Sequence, residues 1–329
     1  MNILVNYSGH MDWRCGIYSL FEKRLGWKVY SPNGSKHWAK FGITQPGHGG
    51  KFFGKARWED GVKHLSILRD NYDVKLIPLE KFHEMKFDII VVGNGRNEIP
   101  FFSFMRQFSP KSIFIRQIAN LMETPHRCTN VLLSTKTPMP DKVSWVKHLM
   151  EPPPCFKYVP YTGKKRIRSF SNYFSKNRKD VVLWQQSKKI LPGFEFKMHG
   201  AEGYDGWVVQ DELHEAMQDT MFIWHVKASG GGGFTCQEAL ASGRPLIVKK
   251  NYCRTHKTRA EDYLVDGVNC VDISFRPLVK SLAIIRKWSQ PNVYEKRCKE
   301  VLRHYNQFFN FDREAKLIKA WIETLRPGV

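Results

Sequence analysis

The stretch from Met221 to Val248 constrains this chain more than any other. The apolar run Met221-Phe222-Ile223-Trp224-His225-Val226 reads as a buried strand. Four consecutive glycines, Gly230 to Gly233, let the backbone turn sharply and approach a ligand with no Cβ in the way. Phe234 to Ala241 contains good helix formers, Gly243 stands where a helix would stop, and Pro245-Leu246-Ile247-Val248 reads as the next parallel strand. The result is a strand, glycine loop, helix, strand unit. The N–H groups at such a helix start, with the positive end of its dipole, make a site for a phosphate or diphosphate. A glycine turn without a ligand is the plainer alternative. No Gly-Lys-Ser/Thr follows the glycines and no Gly-x-Gly-x-x-Gly opens the helix, which disfavours an ATPase or a simple dinucleotide fold.

The segment Gly233-Phe234-Thr235-Cys236-Gln237-Glu238-Ala239-Leu240-Ala241-Ser242-Gly243-Arg244-Pro245 resembles the donor-binding motif of the two-domain GT-B nucleotide-sugar glycosyltransferases, especially the glycogen-synthase-like group. Ala260-Glu261-Asp262-Tyr263-Leu264-Val265-Asp266-Gly267-Val268-Asn269-Cys270 is similar to that family's next helix, turn and strand, so the resemblance spans roughly residues 180 to 275. It implies that Glu238 hydrogen-bonds the ribose hydroxyls of the donor. Many members carry a second Glu eight positions earlier, where this chain has Gly230, and the usual Arg and Lys after the domain's first strand are replaced by Gln185-Gln186-Ser187-Lys188-Lys189. The implied fold is α/β of the GT-B kind, two Rossmann-like domains facing across a cleft with a C-terminal helix crossing back to the first domain.

A length of 329 residues accommodates two such domains with separate cores. Glu151-Pro152-Pro153-Pro154 cannot continue a helix and reads as the hinge. The expected division is therefore an acceptor-side domain over 1–155, joined by a helix over 311–329, and a donor-binding domain over 156–310. With 42% hydrophobic residues the chain is globular, yet no apolar run approaches the roughly 20 residues of a membrane span. Residues 1–7 read as a first strand and not as a signal peptide, so a cytoplasmic protein is expected, in the host cell if the gene is viral. Seven cysteines without a Cys-x-x-Cys pair argue against a disulfide framework or structural zinc, and Cys253 with His256 supplies only two ligands.

Charge is the second strong constraint. Fifty-two Lys and Arg against 31 acidic residues give a net charge of +21, beyond what solubility asks of a small domain. A polyanionic partner follows, nucleic acid first and an anionic lipid surface second. Two stretches concentrate the basic residues among aromatics. Residues 35–57 carry Lys36, Trp38, Lys40, Lys51, Phe52, Phe53, Lys55 and Arg57, and residues 164–179 carry Lys164, Lys165, Arg166, Arg168, Phe170, Lys176, Arg178 and Lys179. Such interleaving suits contact with a phosphate backbone and stacking on an unpaired base. A lid packing its aromatics on the domain and a solvated charged face are the plain alternatives.

Along the chain, residues 2–7 read as strand one, and the loop after it brings His10 and Asp12 to the end of the sheet where ligands bind. Either group there suits proton abstraction from an acceptor hydroxyl, while Asp12 equally suits a helix cap. Residues 58–71 read as an amphipathic helix, 87–92 as a buried strand, and Gly93-Asn94-Gly95-Arg96-Asn97-Glu98 as a loop at the cleft. Residues 181–184 read as the first strand of the second domain, and 312–325 as its closing helix packing back. Lys227 ranks first among groups that neutralise a leaving diphosphate, with Lys188, Lys189 and Arg244 behind it. With Gly231, Gly232, Gly233, Phe234, Thr235 and Glu238 these make up the donor site.

The whole reads as a glycosyltransferase that moves a sugar from a nucleotide-diphosphate sugar, a UDP-sugar first, to a hydroxyl acceptor, acting as a monomer with no metal or other cofactor required in principle. The charge and basic loops favour double-stranded DNA carrying hydroxymethylated pyrimidines, the acceptor of bacteriophage DNA glycosyltransferases, which share this architecture and must flip a base. The other readings are transfer to a lipid-linked or surface polysaccharide, and a non-catalytic nucleic-acid-binding protein that keeps a degenerate donor fold.

Overall fold

The computed structural model describes residues 1–6, 11–33, 56–67, 72–93, 95–119, 125–126, 128–172, 174, 177–200, 203–208, 210–227 and 233–327. The chain divides into two compact units, Met1–Pro153 with Asn310–Val329, and Pro154–Phe309.

Unit 1 is built on β1 (Asn2–Asn6), α1 (Met11–Tyr18), β2 (Lys28–Pro32), β3 (Ala56–Glu59), β4 (Val62–Ile67), β5 (Tyr72–Ile77), β6 (Ile89–Val92), α2 (Gly95–Phe108), β7 (Ile113–Ile118), β8 (Asn130–Leu133) and β9 (Ser144–Lys147). A π-helical stretch, Ser19–Arg24, extends α1. The strands form one sheet in the order β3-β4-β5-β2-β1-β6-β7-β8-β9. From β5 to β9 every pairing is parallel, and β3 and β4 are added antiparallel at one edge. Ile3, Leu4 and Val5 are wholly buried, as a central strand covered on both faces requires.

Two expectations fail in this unit. Of the residues expected to be helical, 58–67 instead belong to the β3–β4 hairpin, whose turn places both Asp60 (φ 49°) and Gly61 (φ 73°) in the left-handed region, and 68–71 lie outside the described residues. An Asp-Gly pair between strand-forming stretches favours that turn, and the local signal outweighs the helical spacing. Nor is 95–98 a loop: α2 begins at Gly95. The fully buried Glu98 in its first turn accepts the N–H groups of His126 (2.8 Å) and Cys128 (3.1 Å), with Arg116 Nε at 3.4 Å.

Unit 2 comprises β10 (Arg166–Ser169), α3 (Arg178–Ile190), β11 (Glu195–Met198), α4 (Gln210–Gln218), β12 (Phe222–His225), α5 (Phe234–Ala241), β13 (Leu246–Val248), α6 (Lys250–Thr255), α7 (Ala260–Tyr263), β14 (Cys270–Asp272), α8 (Leu278–Trp288) and α9 (Pro291–Phe308). Its sheet is parallel throughout, in the order β11-β10-β12-β13-β14. The strand expected at 181–184 is the middle of α3, and the first strand is β10. Asn177 caps α3 by accepting the N–H groups of Lys179 and Asp180, and burial recurs at Asp180, Trp184 and Ser187, one face of a helix. Trp184 then anchors the core edge-on to Trp224 (5.3 Å between ring centres) and Phe196 (5.0 Å).

The last helix, α10 (Phe311–Glu323), belongs to unit 1. Ala315, Ile318 and Ile322 form its buried face, Glu314 accepts the N–H of Leu149 (2.6 Å), and Trp321 donates to Ser144 Oγ (2.8 Å).

Candidate functional site

In open parallel sheets, ligands gather beyond the carboxyl ends of the strands where the strand order reverses. In unit 2 that point lies between β10 and β12, since the chain runs from β10 outward to β11 before crossing back to β12 and continuing to β13 and β14. The glycine loop leaves β12 there. Gly233 is the N-cap of α5 with φ 79° and ψ 132°, a conformation that glycine adopts and side-chain-bearing residues resist. A Cβ on it would stand 2.7 Å from Cε1 and 3.0 Å from Nε2 of His225, and 3.6 Å from Lys227 Nζ. Glycine is thus needed both for the backbone angle and for the space.

The remaining donor-site candidates follow from that start. Phe234 and Thr235 are half-buried in the first turn of α5, and Glu238 is buried one turn on. The first N–H groups of a helix have no intrahelical acceptor, so this end suits an anion. Lys227 is half-buried beside it, and burial pushes the pKa of its ammonium below the ordinary lysine value. A phosphate at hydrogen-bond distance would favour its charged form. Burial holds the Cys236 thiol well above the usual range, which leaves it inert as a nucleophile. Gly231 and Gly232 lie outside the described residues.

Lys188, Lys189 and Arg244 are not part of this arrangement. Lys188 and Lys189 stand exposed in the last turn of α3. Because α3 connects two parallel strands, that turn lies at the amino end of the sheet, opposite the glycine loop. Arg244 is fully buried just before β13, at the same far end, where its guanidinium donates to the carbonyls of Val159 (2.7 Å) and Gln218 (2.9 Å). It ties loop to helix and has no reach toward a diphosphate.

The basic stretch at 164–179 also separates into different roles. Arg166 and Arg168 belong to β10, not to a linker. Arg166 pairs with Glu195 (2.7 Å) and Asp219, and Arg168 with Asp219 (3.2 Å) and the carbonyl of Ala216 (2.9 Å). Both are committed inside the unit and are withdrawn as nucleic-acid contacts. Lys164 and Lys165 are exposed but precede β10, again at the amino end of the sheet, while Arg178 is exposed in the first turn of α3 at the ligand end. Lys176 lies outside the described residues. In unit 1, Arg57 pairs with Glu59 (2.6 Å) and Asp73 (3.0 Å), so it too is spoken for. His10, Lys51 and Lys55 lie outside the described residues, and of Asp12 only the backbone, in the first turn of α1, is described.

Three groups at the ligand end escaped the sequence reading. His225 was read only as part of a strand, and Asp180 and Lys249 were given no role. The one signal that bears on the last is position: a polar residue directly after a buried parallel strand faces the ligand end of the sheet. Among the described residues no three His, Cys, Asp or Glu side chains gather to hold a metal ion, and no helix is long and apolar enough to cross a membrane.

The fold is that of the GT-B nucleotide-sugar glycosyltransferases. Among solved structures the chain is similar to a mutant of TarM from S. aureus in complex with Fondaparinux, alpha-GlcNAc-glycerol and UDP (TM-score 0.65, 8% identity, covering 98% of this chain and 99% of that one). It is also similar to the pneumococcal O-GlcNAc transferase GtfA with UDP and GlcNAc (TM-score 0.61, 11% identity, 98% of each chain). A third is the DNA modifying enzyme beta-glucosyltransferase (TM-score 0.58, 9% identity, 98% of this chain and 100% of that one). No family model matches the sequence, and no curated protein matches it.

Proposed function

We propose that this protein transfers a sugar from a UDP-sugar to the hydroxymethyl group of modified pyrimidines in double-stranded DNA. The observation that carries the donor half is the arrangement at the switch point of unit 2. Gly233 opens α5 with no side chain over the helix start, Lys227 stands within reach of that start, and Glu238 follows on the same helix. Breaking the bond between the anomeric carbon and the diphosphate places charge on the leaving oxygen. Amides of the helix start and the Lys227 ammonium are set where that charge develops, and Glu238 is assigned the ribose hydroxyls. The acceptor hydroxyl attacks the anomeric carbon and gives up its proton to a base, the role assigned to Asp12 or His10.

The acceptor half rests on the net charge of +21 and on the likeness to a DNA modifying beta-glucosyltransferase of the same fold. A duplex hides its base edges, so transfer requires a flipped base, and the basic, aromatic stretch at 35–57 is assigned that contact.

The test is transfer of radiolabelled sugar from a panel of nucleotide sugars to duplexes containing hydroxymethylcytosine or hydroxymethyluracil, with unmodified DNA and Glu238→Ala as controls. Label on modified DNA alone, lost in the variant, is the expected result. Donor hydrolysis without DNA labelling would overturn the acceptor and turn attention to lipid-linked or surface polysaccharide. Neither binding nor hydrolysis of any nucleotide sugar would leave a DNA-binding protein on a degenerate donor fold.

A further inference from the structure

Lys249 follows β13 directly, and its Nζ lies 3.0 Å from Oδ1 of Asp180 in the first turn of α3. These two residues come from opposite sides of β12. Strand β12 pairs with β10 on one side, Arg168 beside Ile223, and with β13 on the other, His225 beside Val248. Counting on from those registers, Ser171, Val226 and Lys249 stand level at the carboxyl end of the sheet. The ion pair therefore crosses the exit of β12, where the chain turns into the glycine loop.

The pair has the features of a site and lacks those of a plain structural bridge. Asp180 is wholly buried, and its Oδ2 finds no hydrogen-bond partner among the described residues. Burying a carboxylate on one ammonium costs more than a packed apolar pair of the same volume. The positive end of α3, thirteen residues long, also faces that charge. Lys249 keeps 26% of its side chain exposed and uses one of its three donors on Asp180. The start of α6 behind it is pinned, since Lys250 N–H donates to Asp272 (3.1 Å) and Asn251 N–H to Ser274 (3.2 Å). An ammonium on a fixed base, held across the exit of β12, is set for an anion at the ligand end of the sheet.

We infer that Lys249 is a second cationic anchor for the diphosphate of the nucleotide donor, positioned by Asp180. This rests on the donor reading above.

The experiment is calorimetric binding of UDP to the full chain, with uridine binding followed by saturation-transfer NMR and folding checked by thermal melting. Lys249→Met is expected to weaken UDP about tenfold or more, the worth of a charge-assisted hydrogen bond, and to leave uridine unchanged. Lys249→Gln, which keeps a hydrogen bond to Asp180 without the charge, is expected to show the same loss and guards against misfolding of the first variant. Asp180→Ala removes the acceptor that positions the ammonium and is expected to weaken UDP several-fold with uridine unchanged, Asp180→Asn recovering part of that loss. Parent-like UDP affinity in both Lys249 variants, or equal loss of UDP and uridine, overturns this role alone. A parent protein that does not bind UDP overturns the donor reading and this role with it.

Discussion

Gly233 carries two constraints that substitution separates. A side chain at φ 79° is strained by about 1–3 kcal/mol, and its Cβ would displace the His225 imidazole and crowd Lys227. Gly193, in contrast, has nothing within 4 Å of a built Cβ and no left-handed angle. Gly233→Ala is expected to lower the melting temperature by several degrees and to weaken UDP binding at least about tenfold, because the group at the helix start moves. Gly193→Ala is expected to leave both within error or to stabilise slightly. Calorimetry and thermal melts on the pair check this, and parent-like UDP affinity in Gly233→Ala would remove the helix start from the donor site. The arginines teach the opposite lesson. Arg166, Arg168 and Arg244 read as free cations in the sequence, yet all three are spent on carboxylates and carbonyls within unit 2, which only the folded chain reveals.

At the scale of elements, the central unit was legible and its surroundings were less so. β12, α5 and β13 fall where the apolar runs and glycines put them, because a buried strand and a glycine-bounded helix are local signals. Phe234, Thr235 and Glu238 fall on α5 for the same reason. What failed depended on tertiary competition. The run Val181-Val182-Leu183-Trp184 has strand propensity, but the Asn177 cap and the burial of Asp180, Trp184 and Ser187 decide for a helix. β9 was missed because β8 reaches it through 134–143 without an intervening helix, so the alternating rhythm gave no cue. The two readings of 181–184 differ in one measurable respect. A strand would put Val182 and Trp184 on one face, whereas α3 leaves Val182 half exposed (52%) and buries Trp184 (1%). Trp184→Ala is expected to cost about 3–5 kcal/mol in urea unfolding, and Val182→Ala less than about 0.5 kcal/mol. Comparable losses in the two would restore the strand.

At the scale of the whole molecule, the net charge decides how the protein meets a polyanion. Ion pairs such as Arg166 with Glu195 and Arg57 with Glu59 are already balanced within the total of +21, so the excess sits on other side chains. Exposed lysines such as Lys164, Lys165, Lys179, Lys188 and Lys189 are among its carriers. A surface of this kind binds duplex DNA by displacing condensed counter-ions, and the logarithm of the affinity then falls linearly with the logarithm of the salt concentration. With six to ten phosphates neutralised, affinity should drop roughly 10³- to 10⁵-fold between about 50 and 200 mM salt, equally for modified and unmodified duplex. Selectivity for hydroxymethylated bases should appear as a salt-independent offset between the two lines, because a hydroxyl displaces no counter-ion. Fluorescence anisotropy on matched duplexes measures slope and offset separately. A shallow slope would mean that the charge is not used on DNA. A steep slope without an offset would locate discrimination in the transfer step, after a flipped base has entered the site.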